Sequence, residues 1–136
     1  MRVLAIDLGE TTGFCVLEGN REPNVSDLSD RMKSWYLDHG TTQMFGVVPL
    51  LDDYEIDLVV IERPASIRAG ARIQEQYSDA ISSFRQTYGA EKVKVVKPAD
   101  WMPRFHSYPL PGRGVLKTQH EKDAYRMAHW ALDKFV

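Results

Sequence analysis

The chain has 136 residues, of which 43% are hydrophobic and 26% are charged, values typical of one globular domain. A lone cysteine, Cys15, excludes a disulfide framework and a cysteine-rich zinc site. No apolar run approaches the roughly 18 residues of a membrane span, and the apolar start of the chain is too short for a signal peptide. We therefore expect a single domain, residues 1–136, in a reducing cytoplasmic compartment.

The formal net charge of −2 does not by itself indicate a nucleic-acid partner. The charges are unevenly distributed, however. Residues 1–62 hold 4 basic and 12 acidic side chains, whereas residues 63–136 hold 13 and 7. Such a difference is a modest hint of a polyanion-binding face, although folding can equally intermix the halves and cancel it.

Short apolar runs predict strands in the first half of the chain. They lie at residues 3–7, 14–18, 32–37 and 58–62. The first strand ends in Asp7 and the last, expected to be central, ends in Glu62. Between the first two strands, Gly9 and Gly13 indicate a turn that needs positive φ or close backbone approach. Polar residues 19–31 indicate a loop.

Residues 41–54 carry a helical apolar pattern, interrupted by Pro49.

Helical periodicity is clearest at residues 71–88, followed by Gly89 as a C-terminal cap. We expect a fifth strand at residues 93–96. A short helical turn then begins at Pro98, in the first helical position, and residues 103–117 form a loop.

The last helix begins at Thr118, which forms a predicted capping box with Glu121. Its packing stripe consists of Ala124, Ala128, Ala131 and Phe135. The order of elements predicts a mixed α/β sheet with helices on its faces.

Four side chains are candidates for metal binding. If the strands that end in Asp7 and Glu62 are parallel neighbours, both carboxylates emerge at one edge of the sheet. Asp123 and His120 share a face at the start of the last helix. Oxygen ligands suit Mg²⁺ or Mn²⁺, and two such ions can support phosphodiester hydrolysis. Taken singly, each residue has an ordinary alternative as a turn, cap or helix-start residue.

These residues carry a resemblance to the RuvC family of Holliday-junction resolvases. The matching segments are residues 5–13 (AIDLGETTG), 57–62 (DLVVIE) and 120–124 (HEKDA). The resemblance implies an RNase H-like α/β fold, a mixed five-stranded sheet with helices on both faces. It also implies a homodimer with two Mg²⁺ ions per site, replaceable by Mn²⁺. The implied reaction is symmetrical nicking of four-way DNA junctions by metal-activated water, leaving a 3′-hydroxyl, in DNA recombination and repair.

The resemblance implies that Asp7, Glu62, His120 and Asp123 hold the metal ions. The chain departs from the family in two ways. It is shorter than typical bacterial members, and the fourth ligand position is His120 rather than aspartate, a variation that the resemblance allows. The segment at residues 96–101 is similar to phage-encoded relatives, which points to a viral or prophage origin.

Basic residues near these carboxylates are candidate DNA contacts. They are Arg63, Arg68, Arg72, Lys97, Arg104, Arg113 and Lys117. Lys117, just before the last helix, is also a candidate to neutralise the scissile phosphate. Ile67 is a candidate wedge into distorted DNA, and the helix at residues 71–88 a candidate dimer contact. For all of these, solvated charge or core packing is the ordinary alternative, and we expect Trp101 and Trp130 to be core residues.

Three other functions compete with junction resolution. A YqgF-type RNA-processing nuclease shares the fold, but no Asp-Glu-Arg motif is present. An actin-like kinase shares the Asp-x-Gly-x-Thr loop, but it needs two domains. A catalytically inactive nucleic-acid-binding protein is the third alternative, against which the retained carboxylates argue.

Overall fold

The computed structural model describes residues 1–21, 32–43, 55–63, 70–112 and 114–135. Its strands are β1 (Arg2–Asp7), β2 (Thr11–Arg21), β3 (Met32–Gln43), β4 (Leu58–Glu62) and β5 (Val93–Val96). Its α-helices, over the same ranges, are α1 (Ala71–Tyr88), α2 (Pro98–Phe105) and α3 (Gln119–Phe135). A single 3₁₀ turn, Ala90–Lys92, links α1 to β5. None of the helices in these ranges is long and apolar enough to cross a membrane.

The strands form one mixed sheet in the order β3-β2-β1-β4-β5. β1 pairs antiparallel with β2 and parallel with β4, and β4 pairs parallel with β5. β2 and β3 form a long antiparallel pair. The predicted α/β class and five-stranded mixed sheet are confirmed, and β4 is the parallel neighbour of β1, as the strand-end argument required.

Side chains of β1 alternate between two buried faces of the sheet. Val3 and Ala5 belong to the core beneath α3, whereas Leu4 and Ile6 belong to the core beneath α1. A strand that is buried on both faces has an unbroken apolar sequence, and for this reason apolar and polar residues do not alternate along β1. The prediction of helices on both faces is therefore confirmed.

Small residues let α3 lie close to the sheet. Ala124, Ala128 and Ala131 are fully buried, so the backbone of the helix approaches the strands with little side-chain volume between them. Phe135, predicted for the same stripe, is 37% exposed and packs edge-on against Trp130 instead. The prediction fails for Phe135 because it lies in the last turn, beyond most of the sheet contact.

Several predicted boundaries were wrong. β2 and β3 are longer than predicted, so residues 19–21 belong to a strand, and residues 41–43 are strand rather than helix. Their strand conformation comes from pairing between β2 and β3, which periodicity within one segment does not reveal. The remainder of the predicted helix, residues 44–54, lies outside the described residues.

α2 is longer than the predicted helical turn, so residues 103–105 are helical rather than loop. The Lys97 amide donates to Asp100 Oδ2 at 2.9 Å, which starts the helix. Trp101 and Phe105 are both fully buried. Burial of two aromatic rings outweighs the hydrogen bond lost at Pro103, inside the helix.

Candidate active site

Asp7 and Glu62 are direct partners at the C-terminal ends of two parallel strands. The register between these strands is fixed at the opposite end, where Arg2 and Asp57 exchange two hydrogen bonds of 2.8 and 2.9 Å. Side chains alternate along each strand, and both carboxylates fall on the face of the sheet that packs against α3. Only 9% of Asp7 and 6% of Glu62 is exposed. A one-residue slip would direct one of them to the opposite face.

Gly13 lies beside Asp7 on the neighbouring strand β2, on the side opposite Glu62. A Cβ atom at Gly13 would lie 2.4 Å from the backbone carbon and oxygen of His120. The glycine is therefore required by close approach and not by backbone conformation, because its φ is not positive. The turn itself is shorter than predicted, as β2 already begins at Thr11.

The start of α3 carries the other two candidate ligands. Thr118 Oγ1 accepts a hydrogen bond from the Glu121 amide at 3.1 Å, which confirms Thr118 as the cap. The side chain of Glu121 is turned toward β3, where His39 Nδ1 donates to its Oε2 at 2.9 Å. Glu121 thus anchors the helix start twice, through its amide to the Thr118 cap and through its side chain to β3.

His120 directly contacts Asp7, with Nδ1 donating to Oδ2 at 2.8 Å. Its side chain is 47% exposed, so one edge of the ring faces solvent. Asp123, one turn further on, accepts a hydrogen bond from Gln119 Nε2 at 2.8 Å. Its charge acts on both strand carboxylates. The structure therefore brings the four predicted ligands into one electrostatic cluster.

Burial and mutual repulsion perturb the two strand carboxylates. Burial raises the pKa of Glu62 to about 7, the Trp101 indole opposes that rise, and the charges of Asp7 and Asp123 add to it. Burial also raises the pKa of Asp7, against the lowering effects of the hydrogen bond from His120 and its charge. Crowded buried carboxylates of this kind favour either a proton or a cation.

Within the described ranges, no three His, Cys, Asp or Glu side chains are already arranged around a point as metal ligands. Their atoms are engaged with neighbours: Asp7 with His120, Glu62 with Trp101, and Asp123 with Gln119. The donor chemistry nevertheless fits a hard divalent cation, because carboxylate oxygens predominate. Burial is the main cause of the raised pKa of Glu62, and the charges of Asp7 and Asp123 add a repulsion that a bound cation would remove.

Lys117 and Lys122 lie on an open cleft beside the first turn of α3. The cleft has a volume of about 720 Å³ and is lined by Leu110, Gly112, Gly114, Leu116, Lys117 and Lys122. Lys117 was predicted as a site residue; Lys122 was missed because a lysine on a helix has no distinctive local signal. The cleft is open and carries positive charge, which suits an extended anion.

The other predicted DNA contacts are dispersed. Arg63 is held by α1, where its guanidinium donates to Gln74 Oε1 at 2.9 Å. Arg104 pairs with Asp133 at 3.8 Å, with 68% of its side chain exposed. Arg72 and Lys97 are exposed. The predicted contacts Arg68, Arg113 and Ile67 lie outside the described residues.

Sequence reasoning did not identify Trp101 as a direct partner of the cluster. Trp101 is fully buried, as predicted, and its indole Nε1 also donates a hydrogen bond to Glu62 Oε2. Trp130 is 4% exposed and is a core residue as predicted. Nothing in the local sequence distinguishes the two tryptophans, because the choice of a hydrogen-bond partner depends on the packing of α2 against β4.

The order of the five strands and the helices on both faces define an RNase H-like α/β fold, with a cluster of carboxylates at the C-terminal ends of β1 and β4. No protein-family model and no curated protein matches the sequence. Among solved structures, the chain is similar to Thermus thermophilus RuvC, with a TM-score of 0.69 and 14% identity over 95% of this chain and 92% of that one.

The same RuvC in complex with a Holliday junction substrate gives a TM-score of 0.69 and 14% identity over 95% of this chain and 91% of that one. Fowlpox virus resolvase, in a complex with Holliday junction DNA, gives a TM-score of 0.57 and 13% identity over 98% of this chain and 97% of that one. At these identities the similarity establishes the fold, and it confirms the structural side of the resemblance to RuvC.

Proposed function

We propose that this chain is a divalent-metal-dependent endonuclease that nicks four-way DNA junctions symmetrically as a homodimer. The observation that carries the proposal is the register-matched pair Asp7 and Glu62, buried at one sheet edge and contacted by the start of α3. The proposal is supported by a fold shared with two resolvases whose solved structures contain junction DNA.

Asp7, Glu62, His120 and Asp123 are the residues that would hold Mg²⁺ or Mn²⁺, two ions per site. When bound, such ions supply a more acidic water and offset charge on the leaving oxygen. The chain contributes rigid placement. Strand pairing fixes Asp7 and Glu62, and the cap at Thr118 fixes the helix start. Rigid placement of this kind lowers the reorganisation needed when substrate arrives.

His120 offers the proposed site one ring nitrogen, Nε2, which serves either a cation or a proton. Because Nδ1 donates to Asp7 in the neutral ring, Nε2 keeps its lone pair. A half-exposed imidazole in this state can accept a proton from water or bind a cation, and its protonated form can return a proton to a leaving oxygen.

The cleft at Lys117 and Lys122 is the proposed path for one DNA strand. Two lysines neutralise phosphates without reading bases, and Gly112 and Gly114 line the same cleft without side chains. Arg72, Lys97 and Arg104 are further proposed phosphate contacts. Arg63 belongs to the same set if its hydrogen bond to Gln74 is exchanged for one to phosphate.

The test is cleavage of a four-way junction, a flap, plain duplex and an RNA–DNA hybrid in Mg²⁺. We expect paired nicks in the junction and none in the duplex. Asp7→Asn should abolish nicking while retaining junction binding, whereas Asp79→Asn, the same change at an exposed position on α1, should be active. Cleavage of the hybrid alone would favour an RNA-processing nuclease. Binding without cleavage by the unmodified chain, and no affinity for Mn²⁺, would favour an inactive binding protein.

The homodimer is tested separately by sedimentation of the free protein and of its junction complex. Two protomers on one junction are expected, since symmetrical nicking needs two active sites.

A further inference from the structure

We propose that Trp101 is a positioning residue for the candidate metal site, which holds one carboxylate oxygen of Glu62 through its indole N–H. The inference rests on the proposed function. The contact joins Trp101 Nε1 to Glu62 Oε2 and is buried. The two residues belong to different elements, α2 and β4, so the contact is set by tertiary packing.

The position of Trp101 is rigid. The end of β5 is tied to the residue after Glu62, because the Arg63 amide donates to Val96 O at 3.1 Å. Lys97 follows Val96 directly and caps α2, with Asp100 closing back onto it. Trp101 lies in the first turn and is 0% exposed, in the same core as the residues beneath α3. The ring is therefore enclosed by the core, and the helix that carries it is held at its start by two hydrogen bonds.

The chemistry of an indole suits this task better than the alternatives. An indole N–H only donates, so it holds a carboxylate but cannot act as a competing base. It is neutral, so it does not offset the negative charge that ionised Glu62 presents to a cation. A lysine or arginine at the same place would neutralise Glu62 and repel a cation. The partners that orient ligands in this way commonly change metal affinity 10- to 100-fold when removed.

A buried tryptophan also needs an acceptor for its own N–H, and satisfying that need would be a merely structural role. The two roles predict different effects of removing Trp101 on the metal affinity of the folded protein. If Trp101 only packs, then its removal lowers stability but leaves the affinity of folded protein for metal unchanged. If it positions Glu62, then metal affinity falls even where the protein is fully folded.

The experiment compares Trp101→Phe with Trp130→Phe in the full chain. Trp130 is 4% exposed and lies in the same core cluster, but it packs edge-on against Phe135 and beneath the Lys134 ammonium group. Mn²⁺ is titrated calorimetrically without DNA, below the unfolding temperature of each variant. We expect a loss of affinity of about 10- to 100-fold for Trp101→Phe and less than about twofold for Trp130→Phe.

A second measurement follows the response to metal in the unmodified protein, so it does not depend on the folding of Trp101→Phe. Indole N–H resonances are recorded with and without Mg²⁺, and they are assigned by their loss in Trp35→Phe and Trp130→Phe. The Trp101 resonance is expected to shift much more than that of Trp130.

Equal Mn²⁺ affinity for the unmodified protein and Trp101→Phe, or a Trp101 resonance that moves no more than that of Trp130, would overturn the inference and leave the proposed function intact. Failure of the unmodified protein to bind Mn²⁺ at all would instead overturn the proposed function and, with it, the role of Trp101.

Discussion

Gly13→Ala is the substitution that most directly tests how the candidate site is assembled. The added Cβ would lie 2.4 Å from the backbone carbon and oxygen of His120 and 2.6 Å from its Cβ. These are backbone atoms of a helix start, which cannot rotate away as a side-chain end can. The first turn of α3 must therefore move, or β2 must bend.

The displacement follows from the distances. The backbone of His120 has to recede by about 0.6 Å to reach 3.0 Å, and by about 1.0 Å to reach an ordinary contact of 3.4 Å. Movement directly away would lengthen the 2.8 Å hydrogen bond between His120 and Asp7 to about 3.4–3.8 Å, at or beyond the limit of a hydrogen bond. Overpacking of this kind costs about 1–3 kcal/mol of stability.

Two assays separate the consequences for stability and for the site. Urea unfolding of metal-free protein measures the free energy of unfolding, and calorimetric titration measures Mn²⁺ affinity. We expect a loss of about 1–3 kcal/mol in stability and at least about tenfold in affinity. Junction nicking should fall by about 100-fold, the cost of misplacing a reacting group by about 1 Å.

The matched control is Gly70→Ala, at the N-terminus of α1. A Cβ atom there meets nothing within 4 Å, and φ is −59°, which alanine readily adopts. It should keep Mn²⁺ affinity and change stability by less than about 1 kcal/mol. Gly13→Ala with the Mn²⁺ affinity of the unmodified protein, and stability within about 0.5 kcal/mol of it, would refute the close-approach argument.

Three further predictions concern charge. Glu62 ionises in unfolded chains near pH 4.5 but keeps its proton to about pH 7 when folded, so stability falls as the pH rises between these values. Metal-free Glu62→Gln should therefore be more stable at pH 8 by up to about 3 kcal/mol and show no gain near pH 4; equal unfolding curves at pH 8 would contradict this. Burial lowers the pKa of His129 from 6.5 to about 4. As the pH drops, the unfolded chain therefore binds this proton before the folded protein does. The free energy of unfolding should fall by up to about 3 kcal/mol between pH 6.5 and pH 4. His129→Phe should keep the stacking on Tyr108 and remove that part of the acid dependence in urea titrations; an unchanged dependence would argue against it. Replacing Lys117 and Lys122 by alanine should reduce the salt slope of junction binding by about 2, measured by anisotropy over a KCl series; an unchanged slope would remove the cleft from the DNA path.

Much of the architecture follows from local sequence alone. The run that ends in Glu62 is apolar throughout because β4 is buried on both faces, and helix α1 was predicted to the residue because its periodicity and its Gly89 cap agree. The cap at Thr118 could also be predicted from local sequence, because it involves residues only three positions apart. Where pairing between distant segments decides the conformation, as in β3, local periodicity gave the wrong boundary.

The sequence by itself determined which side chains are candidates for the site: carboxylates that close two apolar strands, and an acidic and an imidazole group in the first turn of a capped helix. Only the tertiary structure decided that Asp7 faces Glu62 in register and that a glycine lets His120 reach Asp7. It alone decided that a buried indole holds Glu62. The physical reason is the separation along the chain over which each interaction acts. Propensity, periodicity and capping act over a few residues, whereas these contacts join atoms up to 113 residues apart in the chain and exist only once the layers pack.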